Sequence, residues 1–163
     1  MAVPMFLPVP IEQEPKKMNR FVLEFPTELG IESFLVQSVT KPKIDIAQVE
    51  TPYLNGFVYS QGKVKYGTIE IKFLDVIGPS TTQKCMEWLS LAWEPSTNRS
   101  GYQIGSKKSL VLKALDPTGV EVEKWTLVAC QIVTVDMGSY DMASDDISTV
   151  TVTVQPQQCL LAA

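Results

Sequence analysis

The sequence predicts a mainly β protein: two packed antiparallel sheets, a sandwich or open barrel, with one flanking α-helix and a long protruding hairpin. Three observations predict it. Most of the chain reads as short runs in which apolar and polar residues alternate, separated by Gly, Pro and Asp. One stretch, Ser80 to Trp93, has helical spacing, so the strand–helix–strand alternation of a parallel sheet is missing. Between two strand-like runs lies a connection of 26 residues, Lys41 to Tyr66, far longer than usual and too rich in Ile, Val, Tyr and Phe for a disordered loop.

The elements follow in order. In Arg20 to Phe25, Phe21, Leu23 and Phe25 share one face and Arg20 and Glu24 the other, a half-buried strand. Pro26 ends it and Gly30 marks a turn. Ser33 to Val39 is a second strand, halted at Lys41-Pro42, and the two are expected to pair as a hairpin. Thr68 to Asp75 alternates cleanly, with Ile69, Ile71 and Phe73 inward. Gly78-Pro79 breaks the chain before the helix Ser80 to Trp93, where Ser80 and Gln83 form a capping box and Cys85, Trp88, Leu89 and Ala92 make an apolar stripe. Trp88 and Trp93 are expected in the core beneath it. After a polar loop, Leu110 to Leu115 and Val120 to Val128 are strands joined by the turn Asp116 to Gly119. Gln131 to Val135 continues strand-like, so the run from Val120 reads as one bent strand with a bulge. In the last strand, Ile147 to Val154, valines line one face and threonines the other.

The long connection is itself a hairpin. Asn55-Gly56, flanked by Tyr53-Leu54 and Phe57-Val58, is the strongest short hairpin signal and places the tip there. An arm this apolar needs a surface to cover it. That makes the segment Pro52, Tyr53, Leu54, Asn55, Gly56, Phe57, Val58 and Tyr59 a candidate contact between subunits.

At 163 residues, with 45% apolar and 20% charged residues, the chain suits one globular domain. We divide it into an extended N-terminal arm (1–18), a single β domain (19–155) with the insertion 41–66, and a C-terminal tail (156–163). The proline-broken start MAVPMFLPVP lacks the positive region of a signal peptide, and no run approaches a membrane span. Net charge is −4, which gives no electrostatic reason to hold nucleic acid. Lys41, Lys43, Lys63 and Lys65, at the base of the arm, read as salt-bridged or solvated edge residues. Cys85, Cys130 and Cys159 are too dispersed for a disulfide framework or a zinc site and read as buried thiols in a reducing compartment.

Catalysis has little to work with. There is no histidine, which removes Ser-His-Asp and Cys-His chemistry. The carboxylates Asp136, Asp141, Asp145 and Asp146 lie in a Gly- and Ser-rich stretch where turns want such residues, and their spacing lacks the order of a calcium loop. Gly101 to Lys108 lacks the spacing of a phosphate loop. No catalytic, metal or cofactor site is expected.

The order of elements resembles the tail tube proteins of contractile-tailed bacteriophages, a family that includes pyocin tubes and, more distantly, the Hcp tubes of type VI secretion. The likeness runs from Asn19-Arg20-Phe21-Val22-Leu23-Glu24-Phe25, through Phe34 to Pro42 and the excursion with Asn55-Gly56, to the return strand Thr68 to Asp75. It ends with the helix bearing Trp88, the turn Tyr140 to Asp146 and the Thr/Val strand. The resemblance implies a non-enzymatic virion protein, assembled in the bacterial host cytoplasm. Its hexameric rings would stack into a tube inside a sheath, with inner sheets joined into one barrel around a channel for the genome. The implied partners are further copies of the chain, the sheath, the baseplate and tail terminator proteins, and a tape measure protein and DNA in the lumen. Alternation then makes Glu70, Lys72, Thr149, Thr151 and Thr153 lumen-facing candidates. The competing readings are a tube-like baseplate initiator, a secretion-system tube, a β-sandwich binding module presenting Tyr53, Phe57 and Tyr59, and a carboxylate-dependent hydrolase using Asp136 to Asp146.

Overall fold

The computed structural model describes residues 14–162; positions 1–13 of the expected N-terminal arm lie outside the described residues. The chain forms β1 (Phe21–Glu24), single 3-10 turns at Thr27–Leu29 and Ser33–Leu35, β2 (Val36–Val39), the pair β3 (Ile44–Tyr53) and β4 (Gly56–Tyr66), and β5 (Ile69–Leu74). Helix α1 (Thr81–Ala92) follows, then short β6 (Trp93–Glu94) and β7 (Arg99–Ser100), and the one-turn helix α2 (Gln103–Ser106). The chain closes with β8 (Lys108–Leu115), β9 (Glu121–Asp136), β10 (Thr149–Gln155) and β11 (Gln158–Ala162).

The long strand β9 belongs to two sheets. Its first half pairs with β8, which pairs with β1, and with β11. Its second half pairs with β10, which leads through β5 to β2. Every pairing is antiparallel. β9 turns from one sheet into the other near Ala129, which takes φ 50°, and carries an extra residue where Thr153 faces Thr134 but Val154 faces Ile132. A bulge bends a strand because the added residue increases its local twist. The expected bent strand is therefore present, as one continuous element.

The two sheets close on one core. Leu23, Leu110 and Leu127 from one meet Ile69, Ile71, Phe73, Val150, Val152 and Val154 from the other, all fully buried. Cys85 and Trp88 of α1 seal the same cluster. The Trp88 indole donates to the Ser106 carbonyl at 2.8 Å, so its polar atom is satisfied inside the core.

Several local expectations are corrected. β1 and β2 do not pair with each other: β1 joins β8 and β2 joins β5, because each has its buried residues on a different sheet. Ser33 to Leu35 turns as 3-10 before the strand begins. Trp93 is 40% exposed and its indole donates to Asn98 Oδ1 at 2.7 Å, outside the core. The Ser80–Gln83 capping box is not made. Asp75, at the end of β5, takes over: its carboxylate accepts from the Thr82 hydroxyl at 3.0 Å and from the Ser80 hydroxyl and Thr82 amide at 3.4 Å. A charged acceptor satisfies the free amides of a helix start and suits its positive dipole end. Finally, the stretch after Pro156, read as a tail, continues along β9 as β11. Gln155 faces Gln131, Gln158 faces Val128, and Pro156 is buried at the corner between them.

Candidate assembly surfaces

Among the described residues, β3 and β4 form a sheet of their own, with no third strand. Every residue of β3 is exposed, as is nearly every residue of β4. The pair extends the adjacent strands β2 and β5 outward from the sheet edge. Its root is tied down: Gly67 N–H donates to the Lys43 carbonyl, Thr40 N–H to the Glu70 carbonyl, and the Gln155 amide to the Tyr66 carbonyl, each at 2.9 Å.

The tip sits one residue earlier than Asn55-Gly56 suggests. Tyr53 faces Gly56, so the turn residues are Leu54 and Asn55, and Leu54 takes φ 51°. Pro52 explains the shift. In a two-residue hairpin the pair flanking the turn exchanges hydrogen bonds and the next pair does not. The observed register puts Pro52, opposite Phe57, in a non-bonded pair where a missing N–H loses nothing. A turn at Asn55-Gly56 would put it in a bonded pair. Lower down, Ile46 faces Val64 but Gln48 faces Gln61, a bulge around Ala47. Gly62 belongs there, since a Cβ on it would sit 3.0 Å from the Ala47 carbonyl oxygen.

The register sorts the arm into two faces. One carries Ile44, Ile46, Val64 and Tyr66 near the root, then Gln48, Glu50 and Gln61, then Pro52, Phe57 and Tyr59 near the tip. The other is charged at the root, with Asp45 opposite Lys65, and apolar only towards the tip, with Val49, Thr51, Tyr53 and Val58. Tyr53 therefore lies on the opposite face from Phe57 and Tyr59. The three aromatic residues do not form one platform, as a ligand-binding module would need.

The second surface is the open face of the β9-β10-β5-β2 sheet. Thr153 stands opposite Glu70 and Thr151 opposite Lys72, with Thr134 and Asp136 of β9 continuing the row. Thr149 lies on the same side of β10. These five predicted positions are thus brought together on one polar face, and the helix packs against the valine side. Sequence reasoning missed Thr134 and Asp136, because their facing depends on the bulge in β9. Among the described residues both ends of this sheet are unpaired: β2 bonds β5 alone, and residues 131–136 of β9 extend past the last β8 partner, Lys108 opposite Cys130.

No protein-family model and no curated protein matches the sequence. Solved structures do. A chain in the anti-feeding prophage cap, the tube terminating cap, superposes with TM-score 0.74 at 17% identity, over 93% of this chain and 93% of that one. A chain in the PVC extracellular contractile injection system, from its sheath/tube terminator in the extended state, gives 0.73 at 16% identity over 93% and 99%. A type six secretion system protein gives 0.51 at 8% identity over 87% and 82%.

The chain has the fold of contractile injection system tube assemblies.

Several of the remaining polar groups bond within the fold. Asp136 Oδ1 accepts from Gly138 N–H at 2.9 Å and Asp141 Oδ1 from Ala143 N–H at 3.0 Å, while Ser144 Oγ accepts from Asp146 N–H at 3.2 Å. The acidic stretch therefore bonds its own turns, and among the described residues no three acidic or thiol groups converge as metal ligands. Lys43 pairs with Asp45 at 3.2 Å and Lys41 with Glu123 at 3.6 Å. Glu123 also accepts from Lys16 at 2.6 Å and from the Trp125 indole. Lys16 first, then Trp125, hold its carboxyl down to about 2. This one carboxylate joins the N-terminal segment, the arm's root and β9 at the rim of an apolar groove of about 590 Å³ lined by Phe21, Val39, Leu112, Ala114 and Trp125. The three cysteines are unpaired and buried. Burial pushes the Cys85 thiol up to about 11 and the Cys130 thiol to about 12, far from thiolate reactivity.

Proposed function

We propose that this protein is the tube subunit of a contractile tail: a non-enzymatic building block whose hexameric rings stack into the inner tube of a phage tail. The observation that carries the reading is the arm β3–β4, two strands exposed on both faces and, among the described residues, without a third strand or a packed layer. An isolated two-stranded hairpin is at best marginally stable in water. This one gains its partner surface on assembly, through Pro52 to Tyr59 at its tip.

The unpaired ends of the β9-β10-β5-β2 sheet support ring formation. Pairing β2 of one copy with residues 131–136 of the next is a head-to-tail contact, which closes into a ring and removes both edges. The face with Glu70, Lys72, Thr149, Thr151 and Thr153 then lines the lumen. With Glu70 and the adjacent Asp136, one lysine and a row of hydroxyls, and six copies at −4 each, such a channel lets a tape measure protein and DNA pass without gripping phosphate. The α1 side, with exposed Tyr102 and Ile104 nearby, is left facing the sheath. Baseplate and terminator proteins meet the two ends. The tube would be assembled in the host cytoplasm and work in the virion. The neighbours' own settings, sheath–tube, cap and baseplate structures, support this reading.

Electron microscopy of the purified chain at high concentration tests it: rings or tubes are expected, and a strictly monomeric protein overturns it. Deleting Pro52 to Tyr59 is expected to leave a folded body that no longer stacks. For the lumen, Thr153→Cys is expected to react with a bulky maleimide in the monomer and to be shielded in the tube. Equal labelling in both states removes Thr153 from the lumen.

A further inference from the structure

We propose that the apolar groove between β1, β8, β9 and β2 is the docking site of the chain's own N-terminal residues 2–11, bound in cis. The inference does not depend on the tube reading. The groove opens where β1 and β2, which do not pair with each other, part at one end of the body. Phe21, Val39 and Trp125 line it and are only partly buried, at the margin of the core cluster. Its volume, about 590 Å³, lies within the roughly 300–1,000 Å³ of a ligand site. Among its described lining residues the charged ones are Lys41, Lys113 and Glu123, and each is already ion-paired. What the groove has left to offer is apolar surface.

The path of the chain brings the segment to it. Arg20 N–H donates to the Lys17 carbonyl at 3.4 Å, a turn that reverses the chain ahead of β1. Lys16 then reaches over β8 to Glu123 of β9 at 2.6 Å, and Met18 and Asn19 themselves line the groove. Ile11 stands five positions before Lys16, a span of at most about 18 Å. So short a tether holds the segment near the groove at an effective concentration of roughly millimolar order. The chemistry matches. Ala2 to Ile11 carries no charge, and Met5, Phe6 and Leu7 supply bulk to set against Phe21 and Trp125. Pro4, Pro8 and Pro10 have no N–H, so a stretch laid along apolar walls strands fewer donors. Proline-rich segments suit aromatic-lined grooves because they lose little backbone freedom on docking.

The test uses the full chain carrying Trp93→Phe, as a dilute monomer. With Trp88 buried, solvent-sensitive tryptophan fluorescence then reports Trp125. A second chain adds Phe6→Asp and Leu7→Asp, which lie outside the body's core, so its circular dichroism should be unchanged. In that chain we expect the Trp125 emission to shift to the red and acrylamide to quench it more strongly. A synthetic peptide of residues 2–15, at about the millimolar concentration of the tether, should reverse both changes. Equal quenching of the two chains overturns the proposal, and so does a peptide that restores nothing. Protection of Trp125 that disappears on further dilution of the Trp93→Phe chain also overturns it, and assigns the groove to the segment of a second copy.

Discussion

The body and the arm are built from the same material, antiparallel strands rich in Val, Ile and aromatic residues, yet they stand in opposite relation to water. In β5, buried and exposed residues alternate strictly, and Ile69, Ile71 and Phe73 have no exposure. In β3 every residue is exposed. β5 is paired along both edges, by β10 and β2, and β3 along one, by β4, but an unpaired edge does not by itself expose a strand's faces. The difference is a second layer. The body has one, because β9 runs through two sheets and folds them face to face. A pair of strands without such a layer leaves its apolar side chains wet, and the arm is therefore a surface whose stabilising contacts come from other molecules.

The same substitution in the two regions should separate them most. Phe73→Ala, in the body, is expected to cost roughly 3–5 kcal/mol in monomer stability by urea denaturation. Phe57→Ala, on the arm, should change it by less than about 0.5 kcal/mol while reducing tube yield. A large loss of monomer stability from Phe57→Ala would show that the arm packs on its own body.

A smaller effect probes a buried polar side-chain contact from α1. Trp88→Phe leaves the Ser106 carbonyl without its donor and should cost roughly 1–3 kcal/mol, read from the denaturation midpoint.

The junction of body and arm is expected to be acid-sensitive. The Glu123 carboxyl is held at about 2 against an ordinary 4.5. A lowered value in the folded state means stabilisation that is complete above pH 4.5 and lost as pH falls towards 2. Glu24 and Glu121, on Lys113, and Glu28, on Lys108, lie elsewhere, so the comparison is between the unmodified chain and Glu123→Gln. The variant should lose the part of the acid transition reported by Trp125 fluorescence. An identical transition in both would remove Glu123 from the joint.

The smallest expected effect sharpens the picture of the tip. Leu54→Gly relieves a left-handed backbone conformation worth about 1–2 kcal/mol, partly offset by the greater freedom of glycine in the unfolded chain. Amide exchange in β3 and β4 should slow slightly. If Leu54 is a contact residue, tube yield should fall at the same time.

Much of this was legible in the residues. The alternation in Ile69 to Phe73 and Val150 to Val154 identified the core, and the threonines between the valines identified the open face. The excess length and apolar content of Lys41 to Tyr66 identified the arm. Other features were hidden for definable reasons. The capping of α1 by Asp75 depends on where β5 ends in space, not on the local Ser80–Gln83 spacing. Thr134 and Asp136 were missed because a bulge changes which residues face out. The tip register was available in principle, since Pro52 cannot sit in a hydrogen-bonded pair, but the Asn55-Gly56 signal drew the turn one residue too far.

What the sequence determined by itself is local: which segments alternate, where the helix lies, that no histidine chemistry exists, and that one hairpin is too apolar to stand alone. These follow from side-chain period and composition, which are properties of neighbours along the chain. Only the tertiary structure decided the partners. It separated β1 from β2, made a strand of the segment after Pro156, bent β9 into both sheets, and, among the described residues, left the two ends of one sheet unpaired. Such choices turn on which faces are buried together, and burial is a property of the whole fold.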